Sequence, residues 1–570
     1  MENRRIFVVP GALFSTRSVV VSLARPFKAG INLALTVGVA SATHEIVFRN
    51  FHSVAMRRTS KLQPMIPALK GRARLITTLT RRNTRGSILL RQGSQAFKTA
   101  LIACLWLTVA MVSTPAAQTI SARIAVVSTA PPRVRIEIQL PTPASELSFI
   151  NTYAGILGLG ERIEAVEGIG TDGNFVPLDK LAPGEFRLSR ALSKFRYEVN
   201  LAPPSRAAQM SHVSWLNSDN GLLMLADLLP QGLGYAAEIS IDVPSGWTVA
   251  ANVKGSGSQF STTDPDSAVF LVSRALHEKQ QQTASGGLSV ITSGEWPLSD
   301  GDLIKTATRI LQHYTQITGF NLKNHAVLML VPYAGETGPD SWTAETRGNV
   351  VVLLLGKNGS RKRTLSRLGI VLSHELLHLW VPNSLRLAGN YDWFFEGFTL
   401  YQALRTDLRL GLISFDDYLE TMARVYDSYL GSGEASRFSL LEASERRWTT
   451  QSSLVYDQGM LVAFIYDLAL RKSTDCKASL DDIYAELFRL PATGQASANE
   501  TIIRTLTGRA GFGSFAHDYL ETTSMINLDR TLSAYGIVLE ATSAGAAKLS
   551  AAQQLSKSQR KLLGCLGYRK

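Results

Sequence analysis

The sequence predicts an α+β protein, with a β-rich N-terminal domain followed by a mainly helical one. Three observations predict it. From about Ile120 to Ile291, short segments alternate polar and apolar residues with period two, separated by Gly and Pro. Near Leu298 the apolar spacing becomes helical. After Lys362 the pattern is helical almost without interruption to about Leu520. Of the 570 residues, 45% are hydrophobic and 18% charged, enough for packed cores and unlike a disordered or fibrous chain. Three cysteines exclude a disulfide-stapled scaffold and a multi-cysteine zinc ribbon.

Residues 1–97 read as a basic leader, and a start assigned too far upstream is the simplest explanation of it. The first 100 residues hold 17 Lys and Arg against two acids, Glu2 and Glu45. The other 470 hold 42 basic and 44 acidic residues, so the net charge of +13 belongs to one end. That balance gives the remainder no electrostatic reason to bind nucleic acid. Residues 98–117 read as a signal peptide: Lys98, an apolar run from Ala100 to Val112, then small residues to Ala117. The run is shorter than the roughly 20 residues of a membrane span, and no stable span is expected in the mature chain. Export to the periplasm or outside the cell is therefore expected. Cys104 leaves with the signal, and export permits, without requiring, a Cys476–Cys565 disulfide.

Residues 118–295 form the expected β-rich domain. Arg133–Leu140, Phe195–Val199 and Glu238–Val243 alternate cleanly, and a Pro-Ser-Gly turn follows Val243 before Trp247 resumes a strand. Residues 296–545 form the second domain. Asp302–Tyr314 has helical spacing, His325–Val331 reads as a strand, and Asn349–Leu355 is apolar enough for a strand buried on both faces. Residues 546–570 are left as a tail in which Ala551 to Leu566 reads as one amphipathic helix.

The chemistry lies in a helix expected from Leu365 to Trp380, which contains His374-Glu375-Leu376-Leu377-His378. Side chains four apart share a helix face, so both imidazoles can reach one metal ion. Glu375 lies beside them, placed to take a proton from a water. Alone, the pattern also fits two histidines that bind nothing. Trp393-Phe394-Phe395-Glu396-Gly397-Phe398-Thr399 opens a second helix, with Glu396 18 positions after His378, and two His plus one Glu is a standard catalytic zinc set.

These motifs together resemble the gluzincin metallopeptidases, and more closely the glycyl aminopeptidase family. Its marks here are Trp380 soon after the second His and Tyr456-Asp457-Gln458-Gly459 some sixty residues after the Glu. The resemblance covers most of residues 120–540. It implies a thermolysin-like, mainly helical zinc peptidase domain with one Zn2+ on His374, His378 and Glu396. It implies Glu375 as general base, Tyr456 as the hydroxyl that stabilises the oxyanion, and a peptide or protein substrate. Taken by itself, Tyr456 is an ordinary half-buried tyrosine. The chain departs from the family in four ways. The interval between His378 and Glu396 is short. Gln458 stands where the family has Lys. The upstream Gly-Gly-Leu-Glu-His strand, and the Gly-X-Met-Glu-Asn strand of related aminopeptidases whose Glu helps bind the substrate amine, are both missing. Glu336 and Glu345 lie in that region and are the candidates to substitute for that Glu, although each reads first as a loop acid. Finally, the 31 residues after Leu539 are too few for the PDZ domain many members carry.

The expected activity is therefore zinc-dependent peptide hydrolysis by an exported, aminopeptidase-like enzyme. A zinc endopeptidase and an inert peptide-binding relative are the alternatives.

Overall fold

The computed structural model describes residues 119–569, apart from 233–235, 284–285, 339–340, 357–359, 386, 434–435, 449–451, 491–496 and 544. The basic leader, the signal segment and Cys104 lie outside the described residues. The described residues within 120–231 and 237–569 belong to one compact unit; Thr119, Gly232 and Ala236 are the described part of a second.

The β-rich part contains a nine-stranded sheet, mostly antiparallel, and an antiparallel four-stranded one. The centre of the larger one is the pairing of Pro132–Ser148 with Glu185–Asn200. Val134, Ile136 and Ile138 stand opposite Val199, Tyr197 and Phe195, and all six are buried. The period-two alternation is therefore one buried face, stabilised by cross-strand pairs that register fixes residue by residue. Tyr197 donates its hydroxyl to the Leu228 carbonyl at 2.8 Å, which satisfies the phenol at the bottom of the core.

The second part is built on a five-stranded mixed sheet. Its strands run Leu276–Thr283, Gly286–Ser293, Ala326–Pro332, Val350–Leu355 and, at the edge, Trp342–Arg347. Every residue of Val350–Leu355 is buried, as its unbroken apolar run predicts. Val350, Val352 and Leu354 pack with Val327, Met329 and, from the four-stranded sheet, Leu222 and Leu271. Val351, Leu353 and Leu355 face the other way, into the helical core with Leu328, Leu330 and Trp380. The sheet is thus a shared wall between a sheet layer and a helix layer.

The first helix of this second part, Asp300–Thr318, starts where a reciprocal capping box forms between Ser299 and Asp302. It stops at Gly319, whose φ of 65° suits a residue without Cβ. The motif helix is Arg361–Leu377, shorter at its C-terminus than the stretch to Trp380 that the spacing predicts. His378, Leu379 and Trp380 instead make tightened turns, their N–H groups bonding the carbonyls three residues back at 3.1, 3.2 and 2.9 Å. Pro382 cannot extend a helix and disfavours helical backbone at Val381, so the last turn tightens before it. Trp380 is a core residue: its indole nitrogen donates to the Phe320 carbonyl at 2.9 Å.

The helix Ser452–Ser473 contains a stretch, Ser453–Ser473, long and apolar enough to cross a membrane, but 83% of its apolar window is buried inside the fold. Its hydropathy is that of a core helix. The C-terminal tail is not one helix from Ala551. Ile537–Ala541 and Ala547–Ala551 form a hairpin, and the helix runs Lys557–Leu566, capped by Ser556 and Gln559. The alternation Ala547-Lys-Leu-Ser-Ala551 buries Leu549 and suits a strand. Cys476 and Cys565 are disulfide-bonded, with Cα atoms 6.3 Å apart, and tie this final helix to the end of the long core helix.

Candidate metal centre

His374 lies at the C-terminal end of the motif helix and His378 in the turn beyond it. Glu396 comes from Trp393–Phe398, a wide π-type turn that leads directly into the helix Thr399–Leu410. Donor atoms of the three residues lie within 4.8 Å of one another, and all three side chains are buried. Glu396 Oε2 is 3.4 Å from His374 Nε2 and 3.7 Å from His378 Nε2, and the two Nε2 atoms are 3.1 Å apart. Three convergent donors of this type fit zinc.

The other ring nitrogens have partners that set the tautomers. His378 Nδ1 donates to the Val381 carbonyl at 2.9 Å. That carbonyl is in reach because the last turn tightens ahead of Pro382. Thr399 Oγ1 lies 3.4 Å from His374 Nδ1, while its own hydroxyl donates back to the Phe395 or Glu396 carbonyl. Both arrangements keep the proton on Nδ1 and leave the Nε2 lone pair for a metal.

Glu375 projects beside the group and is also buried. Thr346, on the edge strand, donates to Glu375 Oε2 at 2.7 Å, with the Glu375 carbonyl a second acceptor at 2.9 Å. Tyr456 is half-buried on the core helix, and burial pushes its phenol well above the usual range. Its oxygen lies 2.5 Å from Arg447 Nη2, and the same nitrogen is 2.7 Å from Glu396 Oε1. Against the effect of burial, Arg447 and the two histidines hold the Glu396 carboxyl well below the ordinary carboxylate range. Burial opposes a charge on His378 too, but Glu396 and Glu375 draw its pKa upward. A carboxylate that stays ionised when buried is what a cation ligand needs.

Glycine makes the approach possible. Gly397 and Gly459 meet where the π-type turn crosses the core helix, and a Cβ on Gly397 would lie 2.5 Å from the Gly459 Cα. This contact helps bring Glu396 and Tyr456 close together from positions sixty residues apart.

Glu336 is an exposed loop acid. Glu345 is not: it is buried on the edge strand, with Arg347 Nε at 2.7 Å, the Tyr153 hydroxyl at 2.5 Å and a close contact to His212 Nδ1. Despite burial, Arg347 and His212 keep its carboxyl below the ordinary range. Alternation along the strand assigns the side chain facing Glu375 to Thr346 instead. Gln458 is buried, and its Oε1 has no hydrogen-bond partner among the described residues. A cavity of about 440 Å3 lined by Phe320, Leu379, Asn383, Leu487 and Phe488 includes none of the site residues.

Thr346, Thr399 and Arg447 were not foreseen. Thr399 lies within the Glu396 motif and offered a faint signal; Thr346 and Arg447 offered none.

No protein-family model matches the chain, and no curated protein matches it. Solved structures do. An aminopeptidase N family protein from Idiomarina loihiensis superposes with a TM-score of 0.64 at 18% identity, covering 74% of this chain and 79% of that one. An M1 zinc metallopeptidase from Deinococcus radiodurans matches more loosely, with a TM-score of 0.45 at 15% identity over 72% of this chain and 95% of that one. A variant of the latter bound to a Tyr-Ser-Ala substrate gives 0.45 at 13% identity, with the same coverage. The fold is α+β, with β-rich sheets followed by a mainly helical region, and it is similar to that of the aminopeptidase N family protein. The buried His374, His378 and Glu396 group is consistent with a zinc site in such a fold.

Proposed function

We propose that this chain is an exported zinc-dependent peptidase of the gluzincin type, related to the glycyl aminopeptidases. The observation that carries the reading is the convergence of the three donors, with Glu375 acting on His378 and Tyr456 joined to Glu396 through Arg447. Zinc, when bound, supplies Lewis acidity to a water and to the scissile carbonyl. Glu375, held by Thr346, takes the water's proton and passes it to the leaving amine. Tyr456 donates its phenolic hydrogen to the carbonyl oxygen as that atom gains charge, which its high pKa allows because the phenol keeps its proton. An inert peptide-binding role would not require this set to be complete.

Aminopeptidase action is supported by the resemblance and by the fold shared with the aminopeptidase N family protein. A specific observation favours endopeptidase action as the second reading. The carboxylate of Glu345, an acid on the edge strand, is already engaged by Arg347, Tyr153 and His212. An ammonium group would have to displace a buried guanidinium to use it. Export is supported by the Cys476–Cys565 disulfide, a bond that persists in oxidising compartments.

The deciding experiment is digestion of a mixed peptide library by zinc-reconstituted protein, with Glu375→Gln as control. Loss of N-terminal residues supports an aminopeptidase, and internal cuts support an endopeptidase. No zinc uptake, or equal cleavage by Glu375→Gln, rejects the mechanism. For export, sequencing the mature N-terminus from the native host should read Ala117 or Gln118; a chain starting at Met1 rejects it.

A further inference from the structure

Arg447 is buried just beyond the short helix Leu440–Glu445, with 8% of its side chain exposed. Its guanidinium is surrounded by aromatic rings: Trp448 at 4.4 Å, Tyr456 at 5.2 Å and Phe395 at 5.5 Å. Nη1 lies 3.2 Å from Asp392 Oδ2. Nη2 contacts both Glu396 Oε1 and Tyr456 Oη, at 2.7 and 2.5 Å. The two hydrogens of one nitrogen thus serve a metal-ligand candidate and an oxyanion-donor candidate at once.

Each contact has a directional consequence. With Oε1 occupied by Arg447, Glu396 has Oε2 left to offer, and this is the oxygen that faces both histidines. A phenol that accepts from a guanidinium must aim its own hydrogen elsewhere, because the donor's hydrogens fill that side. A neutral or flexible residue at 447 would fix neither direction.

We infer that Arg447 is a positioning residue that confines Glu396 to one-oxygen metal ligation and turns the Tyr456 hydroxyl toward the substrate carbonyl. The inference rests on the zinc-peptidase reading. A buried arginine that merely balanced Glu396 and Asp392 would be replaceable by another cation; this one depends on its reach and on the fork.

The test uses the full chain with Arg447→Lys and Arg447→Met, each alone and combined with Tyr456→Phe. Three quantities are read: zinc affinity by chelator competition, the visible spectrum of the cobalt(II)-substituted protein, and kcat and KM on a cleaved peptide. Lys keeps the charge but is too short to serve both oxygens, and it carries the test if Met does not fold. Expected for Arg447→Lys are zinc affinity about 10–100-fold weaker, an altered cobalt spectrum, and kcat roughly 10-fold or more lower with KM little changed. In the Tyr456→Phe background the kcat loss should shrink to about threefold or less, because the phenol route is gone. Wild-type zinc affinity and cobalt spectrum in Arg447→Lys overturn the inference, as does an equal kcat loss in both backgrounds. Failure of the wild type to take up zinc rejects the peptidase reading instead. If the wild type binds zinc but cleaves nothing, affinity and spectrum still decide the Glu396 half.

Discussion

Replacing Gly397 with alanine tests whether the crossing of two helical segments sets the geometry of the site. A Cβ at this position would lie 2.5 Å from the Gly459 Cα, 2.7 Å from the Gly459 carbonyl carbon and 2.8 Å from the Val455 carbonyl oxygen. All three are backbone atoms, so no side chain can rotate away. Carbon atoms in contact normally sit about 3.5–4.0 Å apart, so the segments must part by roughly 1 Å. Overpacking of this kind costs about 1–3 kcal/mol, offset by up to about 1 kcal/mol because alanine favours helix over glycine. The catalytic consequence should be larger. Glu396 adjoins Gly397 and Tyr456 lies one turn before Gly459, so separation widens the gap between ligand and phenol. A misplacement of about 1 Å costs on the order of 10² in rate. Gly397→Ala should therefore retain zinc, unfold at slightly lower denaturant and lose about 10² in kcat/KM. Gly459→Ala meets Gly397 Cα and the Trp393 carbonyl at 2.9 Å and should be milder. Urea titration, metal analysis and peptide hydrolysis measure the three effects. A Gly397→Ala protein with wild-type stability and turnover would refute the reasoning.

Tyr456→Phe should keep zinc and KM while kcat falls by roughly 10²–10³, the usual effect of losing one oxyanion donor; an unchanged kcat removes the phenol from the mechanism. Asp457 gives a pH signature. Burial raises its carboxyl to about 7, while an unfolded aspartate ionises near pH 4. The folded state therefore holds the extra proton between these values, and this contribution to stability is lost as pH rises from about 4 to about 7. Asp457→Asn can still accept from the Ser428 hydroxyl. It should stabilise the protein at pH 8 by an amount on the order of 2–4 kcal/mol and little at pH 4; a pH-independent difference in urea titrations would contradict this. Serine at both Cys476 and Cys565 should lower stability by up to about 4–5 kcal/mol, the chain-entropy value for a bridge spanning 89 residues. Free thiols in protein secreted from an oxidising compartment, with no stability change, would show that the bond is not formed.

Local periodicity, and the geometry it implies, was legible in the residues alone. The alternation of Arg133–Leu140 defines a half-buried strand, and the run Val350–Leu355 a strand buried on both faces. The four-residue spacing of His374 and His378 puts two imidazoles on one side of the chain, because helical geometry repeats every 3.6 residues whatever the helix packs against. The strand Ala547–Ala551 was not legible in this way, and its pairing with Ile537–Ala541 is what makes it a strand. The edge strand shows the same limit: both Glu345 and Thr346 lie in it, and only its register against Val350–Leu355 decides that Thr346 faces Glu375. Arg447 reaches Glu396 across 51 positions and Tyr456 across nine, through a fork whose direction depends on how three segments pack. Gly397 and Gly459 look like ordinary motif residues along the chain. Only the crossing of their segments shows that a missing Cβ lets Glu396 and Tyr456 come close, because such an approach depends on distance in space and leaves no period in the sequence.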